Sequence, residues 1–339
     1  MRELAERSGL RVGLIGCGAW GSNHARTLAS LGVLAAVADR NPDRSGALHA
    51  RFGCGQADPL GLIRNPDLDA IVLAVPPEDQ PPLALQVIAA GRHVFLEKPM
   101  ALDLPTATRI EAAASAAGIV AMTGHLMLYH PALEAIAELL GTGALGELRQ
   151  ISTRRAGFGR FFPRCDVAMD LLLHDLTVLT YLFGPLPAMG QWQGRAVLSE
   201  LADVGELTMT LASGVGVQCG VSRVSPARER RMVFSGSHAT AVFDDLRDWP
   251  DKLVVHAHPQ GSETAQPLET TPVDLPATPP LEAELTHFLQ CIRTGQAPRS
   301  QLAQGREVLR FILALGQDKV AGLPVHEASA SLDQMIRVS

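Results

Sequence analysis

The chain has 339 residues, 47% hydrophobic and 19% charged, with a formal net charge of −6. That length exceeds what one hydrophobic core usually organises, so two domains are expected, in an ordinary soluble globular composition. The acidic balance excludes the broad positive field of a nucleic-acid or anionic-membrane binder. Five scattered cysteines with no C-x-x-C pair argue against a disulfide framework and a structural zinc, and hence for a reducing cytoplasm and no metal. The charged first eleven residues lack the apolar segment of a signal peptide, and no apolar run approaches the ~20 residues of a membrane span.

The first 120 or so residues alternate short apolar runs with helical patterns. A strand at 11–15 runs into a glycine turn and a helix to about Ser30; a second strand at 33–38 ends at Asp39. Asn41-Pro42-Asp43 opens a helix, with proline in its tolerated first-turn position. A strand at 70–75 is stopped by Pro76-Pro77, a helix covers 79–90, and a strand at 93–96 leads to Lys98-Pro99. A helix at 104–117 and a strand at 119–122 complete a series of βαβ units, which predicts a parallel sheet. The predicted organisation is a doubly wound parallel-sheet domain over 1–123 and an α+β domain over 124–339.

Beyond Gly124 the pattern changes. A helix at 131–140, a strand at 148–154 and a long apolar helix at 167–183 precede a region of strands and turns: 205–211, 214–222, 231–235, 239–243 and 252–255. These read as a large, open, mostly antiparallel sheet. Residues 260–280, rich in Pro, Thr and Gly, read as an exposed excursion. Two amphipathic helices, 281–294 and 302–320, finish the fold.

Gly16-Cys17-Gly18-Ala19-Trp20-Gly21 is a G-x-G-x-x-G between strand and helix. Such glycines allow a tight turn, close approach to a pyrophosphate and close helix–sheet packing. A structural turn would read the same way. Asp39, however, ends the next strand roughly 20 residues on, where a ribose-binding acid is expected. Its carboxylate would repel a 2′-phosphate, which favours NAD over NADP; Arg40 beside it weakens that preference. Val75 and Pro76 would line the nicotinamide side of the crevice, although a strand stop explains the prolines as well.

Lys98 follows a buried strand at the carboxyl edge of the sheet, where ligands of open α/β folds bind. Proline after it restricts the backbone that carries it. Asp170 and His174, four apart in the apolar helix, share one face. A lone histidine there would more often be a satisfied core residue. The Asp/His pair, together with the glycine loop and Lys98, favours proton transfer with a hydroxyl substrate.

These motifs, with Glu97-Lys98-Pro99, Gly124-His125, Tyr129-His130-Pro131 and Leu281-x-x-Glu284-x-x-His287-Phe288-x-x-Cys291, resemble the glucose–fructose oxidoreductase/inositol dehydrogenase (Gfo/Idh/MocA) family over about residues 11–321. The resemblance implies a Rossmann domain followed by an α+β domain whose open sheet forms a homodimer or homotetramer interface. It implies catalytic roles for Lys98, Asp170 and His174. It also implies cofactor contacts from Gly16, Gly18, Ala19, Trp20, Gly21, Asp39, Arg40, Val75, Pro76, Glu97 and Lys98, and substrate contacts from His125, Tyr129, Arg155 and Arg160.

Asp170-Leu-Leu-Leu-His174-Asp175 resembles the branch acting on nucleotide-linked sugars, such as UDP-N-acetylglucosaminuronate 3-dehydrogenases. Four arginines (Arg154, Arg155, Arg160, Arg164) lead into that helix and would suit a diphosphate, or form no more than a solvated basic loop. The expected substrate is a nucleotide-linked amino sugar or uronate oxidised at C3. Dehydrogenation of a free sugar or inositol, and a non-catalytic dinucleotide sensor, remain as alternatives.

Overall fold

A computed structural model describes residues 9–159, 161–259 and 269–316. The first sheet is built from β1 (Val12–Ile15), α1 (Ala19–Ser30), β2 (Leu34–Ala38), α2 (Pro42–Phe52), β3 (Gly55–Ala57), α3 (Pro59–Arg64), β4 (Ala70–Leu73), α4 (Gln80–Ala89), β5 (His93–Glu97), α5 (Leu104–Ala117) and β6 (Ala121–Gly124). Its six strands are parallel, in the order β3-β2-β1-β4-β5-β6. β1 and β4 are buried along their whole length, as strands covered on both faces must be. The helix ends follow local chemistry. Asn41 accepts from the Asp43 N–H and Asp103 from the Thr106 N–H, while Gly53 and Gly118 close α2 and α5 in the left-handed region.

The second sheet starts after α6 (Pro131–Gly141) and contains β7 (Leu148–Ala156), β8 (Gln191–Arg195), β9 (Val204–Thr210), β10 (Gly216–Ser222), β11 (Glu229–Gly236), β12 (Ala239–Asp244), β13 (Leu253–Ala257) and β14 (Glu269–Pro272). Their order is β14-β13-β12-β11-β7-β10-β9-β8, antiparallel throughout except for the parallel β7–β10 pair. α7 (Leu173–Phe183) meets β7 through Asp175, which pairs with Arg155 and Thr153, and α8 (Pro280–Thr294) and α9 (Leu302–Leu315) end the described chain. α8 packs on α1, and α9 packs on α5, β6 and α7, so the C-terminal helices reach back onto the first sheet. Thr123 N–H donates to the Ser300 C=O at 3.1 Å beside this return. Among the described residues one apolar cluster runs through both sheets.

Three differences from the sequence reading have physical causes. β3 and α3 were not expected: β3 is three residues with no apolar alternation, and α3 is a six-residue turn capped by Asp58. β8 and β14 are polar edge strands whose pairing comes from the neighbouring strand; β14 falls inside the expected excursion, of which residues 260–268 lie outside the described residues. The expected helix at 167–183 is two segments, a π-helical stretch (Ala168–Leu172) followed by α7. The Leu173 N–H bonds the Ala168 C=O five residues back, a wide turn of the kind found at functional sites. The expected extension of α9 to 320 lies outside the described residues. Among the described residues no helix is long and apolar enough to cross a membrane.

Candidate active site

The strand order reverses between β1 and β4, and a cleft of about 1210 Å³ opens beyond the carboxyl ends there. Gly16 sits at φ +100°, and a Cβ on it would lie 2.3 Å from the Ala74 C=O; a Cβ on Gly21 would lie 1.9 Å from the Gly16 C=O. Gly18 is the contrasting case, since a Cβ there would meet nothing within 4 Å and would project into open cleft. It stands at the start of α1 with no side chain capping the helix, leaving N–H groups for an anion. Asp39 accepts from the Cys17 N–H at 2.6 Å and the Asn41 N–H at 2.8 Å, with lone pairs remaining toward the cleft. These residues fit a dinucleotide.

Arg40 is 76% exposed at the side chain and pairs with Asp79 at 2.8 Å, and Arg44 joins it on the cleft wall. Ala19, Trp20, Val75 and Pro76 line the same cleft. Glu97 ties several of these parts together. Its Oε1 receives the Trp20 indole N–H and lies 2.6 Å from His24 Nε2, and its Oε2 receives the Lys98 N–H at 3.2 Å. Gln80, buried, donates to the Glu97 C=O at 2.6 Å and the Pro99 C=O at 3.0 Å, which fixes the turn that carries Lys98. The Lys98–Pro99 bond is cis.

Lys98 reaches from the first sheet to the π-helical stretch. Its Nζ donates to Asp170 Oδ1 at 2.8 Å and to the Asp170 C=O at 2.9 Å. An ammonium has three N–H donors, so one remains for a substrate oxygen. Asp166 accepts from the Met169 N–H and starts the stretch that presents Asp170. His174, partly accessible, lines the cleft with Lys98 and Asp170. Burial holds its imidazole well below the ordinary value of 6.5, and the cations Lys98, Arg155 and Arg230 and the His125 ring push it in the same direction. It is therefore neutral at physiological pH and able to accept a proton. Cys165 also lines the cleft, but burial and the Asp170 carboxylate push its thiol up to about 12.

The expected substrate residues divide. Arg155 lies on the cleft wall, held by Asp175 through Nε at 3.2 Å and Nη2 at 2.8 Å. His125 does not reach the cleft. It is 2% exposed, its Nδ1 lies 3.5 Å from the Thr177 hydroxyl, and its Nε2 faces Gly305 of α9. Tyr129 is likewise turned inward, 5% exposed and bonded to the Ser300 hydroxyl at 3.0 Å. Both are buried beneath the returning helices, which cover the segment after β6; Leu126 and Met127 face the cleft instead. Arg154 points to the other sheet face and pairs with Glu229 at 3.7 Å, and Arg160 lies outside the described residues.

Residues 10–125 match a family model described as an oxidoreductase family with an NAD-binding Rossmann fold, and residues 133–242 match the GFO/IDH/MocA C-terminal domain. The chain belongs to the Gfo/Idh/MocA oxidoreductase family. It is 29% identical to the UDP-N-acetylglucosamine 3-dehydrogenase of Acidithiobacillus ferrooxidans, over 90% of this chain and 95% of that one. A solved structure of that enzyme superposes with a TM-score of 0.79, covering 90% of this chain and 96% of the other. An inositol 2-dehydrogenase of Acidothermus cellulolyticus is 32% identical over 53% of this chain and 55% of its own length.

Sequence reasoning overlooked several cleft residues of this Gfo/Idh/MocA chain. Arg228, Arg230, Asp245 and Phe158 line the cleft, and the Arg-x-Arg alternation entering β11 was the available signal for two of them. Glu284 is another. Buried on the apolar side of α8 and near Glu97, its carboxyl is raised well above 4.5, first by burial and then by the Glu97 charge. An acid among Leu281, Leu285, Phe288 and Leu289 was legible as an anomaly.

Proposed function

We propose that this chain oxidises a secondary hydroxyl, at C3, of a nucleotide-linked amino sugar or its uronate, with NAD as the preferred cofactor. The observation that carries the reading is the Lys98 ammonium clamped on Asp170 with one donor to spare, on the same cleft wall as a neutral histidine, His174. The activity printed for the Acidithiobacillus relative supports the substrate class. Asp39 supports NAD, since its carboxylate opposes a 2′-phosphate and Arg40 is engaged by Asp79.

Gly16, Gly18 and the start of α1 would hold the pyrophosphate and Asp39 the ribose. When bound, the nicotinamide supplies the acceptor for the hydride that leaves the carbinol carbon. His174 takes the proton of the substrate hydroxyl as the C–O bond becomes a carbonyl. Lys98 turns its remaining N–H toward that oxygen and stabilises the negative charge that develops on it. Asp170 positions Lys98 and keeps its charge balanced. The open outer face of the second sheet carries the accompanying reading of a homodimer or homotetramer.

Lys98→Met and His174→Ala are each expected to lower kcat by about 10²- to 10⁴-fold, with NADH affinity in fluorescence titration changing little. Near-normal turnover in both variants sinks the assignment. Oxidation of free inositol by the unmodified enzyme, without any response to UDP-sugars, selects the cyclitol reading that the Acidothermus relative offers. Tight NAD binding without reduction by any sugar of a broad panel selects a sensor.

A further inference from the structure

We propose that Arg155, Arg228, Arg230 and Phe158 form the subsite for the nucleoside diphosphate of the substrate, the arginines taking the diphosphate and Phe158 the base. This rests on the nucleotide-sugar reading above and names the residues that would enforce it. Arg230 of β11 stands directly across from Arg155 of β7 in the antiparallel ladder. Residues directly opposite share a sheet face, and so do residues two apart along a strand. Arg228, the residue just before β11, lines the same cleft, with its Cγ 3.3 Å from where a Cβ on Gly157 would be; the absent side chain at Gly157 leaves it room. All three arginines and Gly157 line the cleft.

Like charges placed opposite each other across a ladder are destabilising. Only part of this charge is answered within the protein. Asp175 holds Arg155, while Asp245 is shared between Arg230 at 3.4 Å and Lys252 at 3.3 Å. Among the described residues Arg228 has no carboxylate partner. The wall retains positive charge facing the cleft, as a bound anion would require.

Next to Arg228 the chain reads Gly157-Phe158-Gly159. Phe158 is 68% exposed and lines the cleft, edge-on to Phe161 at 6.0 Å. Its backbone is tethered on both sides, by Gly157 N–H to the Ser222 C=O at 3.0 Å and Gly159 N–H to the Arg223 C=O at 3.1 Å. An aromatic face held out on an anchored turn is the usual platform for a base. The order along the wall is also informative. His174 feels Arg155 and Arg230 electrostatically, Arg228 borders Gly157, and Phe158 follows. Reactive sugar, diphosphate and nucleoside are joined covalently in that same order.

The test uses the full-length enzyme, saturating NAD, UDP-N-acetylglucosamine and its uronate as substrates, and UDP itself as a binding probe. Arg228→Gln and Arg230→Gln are each expected to raise KM and the UDP dissociation constant by about tenfold or more, with kcat affected less. Phe158→Ala is expected to weaken UDP by about tenfold. Arg154→Gln, on the opposite sheet face, serves as the control and should change neither. Unaltered UDP affinity in the Arg228, Arg230 and Phe158 variants overturns the subsite. A KM that rises for the uronate alone also overturns it, because the arginines would then read the carboxylate. UDP binding is measured without turnover, so it separates this inference from the proposed activity, which fails if no nucleotide sugar is oxidised.

Discussion

His174 shows how little of a residue's chemistry resides in its own side chain. An imidazole in water titrates near 6.5. In this cleft burial disfavours its charged form first, and the neighbouring Lys98, Arg155 and Arg230 cations disfavour it further. A general base must be deprotonated to act, so alcohol oxidation should persist to lower pH than an unperturbed histidine allows. The acid limb of kcat/KM is expected below pH 6.5. In the residual activity of Lys98→Met that limb should move upward, because one of the cations opposing protonation is gone. A limb at or above 6.5 in the unmodified enzyme would remove His174 as the base.

At the scale of elements, two buried Arg–Asp pairs hold the second sheet in the form the site needs. Arg155–Asp175 joins β7 to α7, with the Thr153 hydroxyl on the other carboxylate oxygen at 2.9 Å. Arg223–Asp203 joins the end of β10 to the start of β9, and Arg223 also donates to the Cys165 C=O at 2.7 Å. Burial alone would raise the Asp203 carboxyl. Bonds from the Ser199 hydroxyl and the N–H groups of Val197, Leu198 and Ser199 outweigh it and hold the group well below the usual carboxylate range. Asp203→Ala leaves Arg223 buried without its counter-charge. It is expected to cost about 3–5 kcal/mol in urea denaturation. A loss under about 1 kcal/mol would mean that the pair contributes little beyond its packing.

The whole molecule carries a pH dependence set by groups buried in their neutral forms. Burial lowers His125 and His130 to about 4, and His174 also lies below 6.5. The unfolded chain then binds more protons than the native one between those values and 6.5, so stability is lost as pH falls through that window. Glu284 acts in the opposite direction. Its native carboxyl keeps a proton above 4.5, where the unfolded one does not, so its contribution declines as pH rises. Glu284→Gln should therefore stabilise the protein at pH 7.5 and confer a smaller gain near pH 5, read as denaturation midpoints at the two values. An equal gain at both would show that Glu284 does not hold its proton in the native state.

The Rossmann half was legible because its signals are local. Glycine spacing, Asn41 and Asp103 caps, and fully apolar strands specify short segments whose conformation depends little on distant residues. Lys98, Asp170 and His174 could be picked out as candidates for the same reason: each is a polar group at the end of, or within, an apolar element. What only the tertiary structure decided was which side chains share the cleft. His125 and Tyr129 follow β6 and looked like substrate contacts, but α8 and α9 return more than 150 residues later and bury them. Arg230 reaches the cleft through a ladder with β7, opposite Arg155 and 75 residues away in sequence, and Arg228 is carried there just before that strand. Local propensity and periodicity determine an element and its buried face, whereas the neighbours of that face are set by the packing of the entire chain.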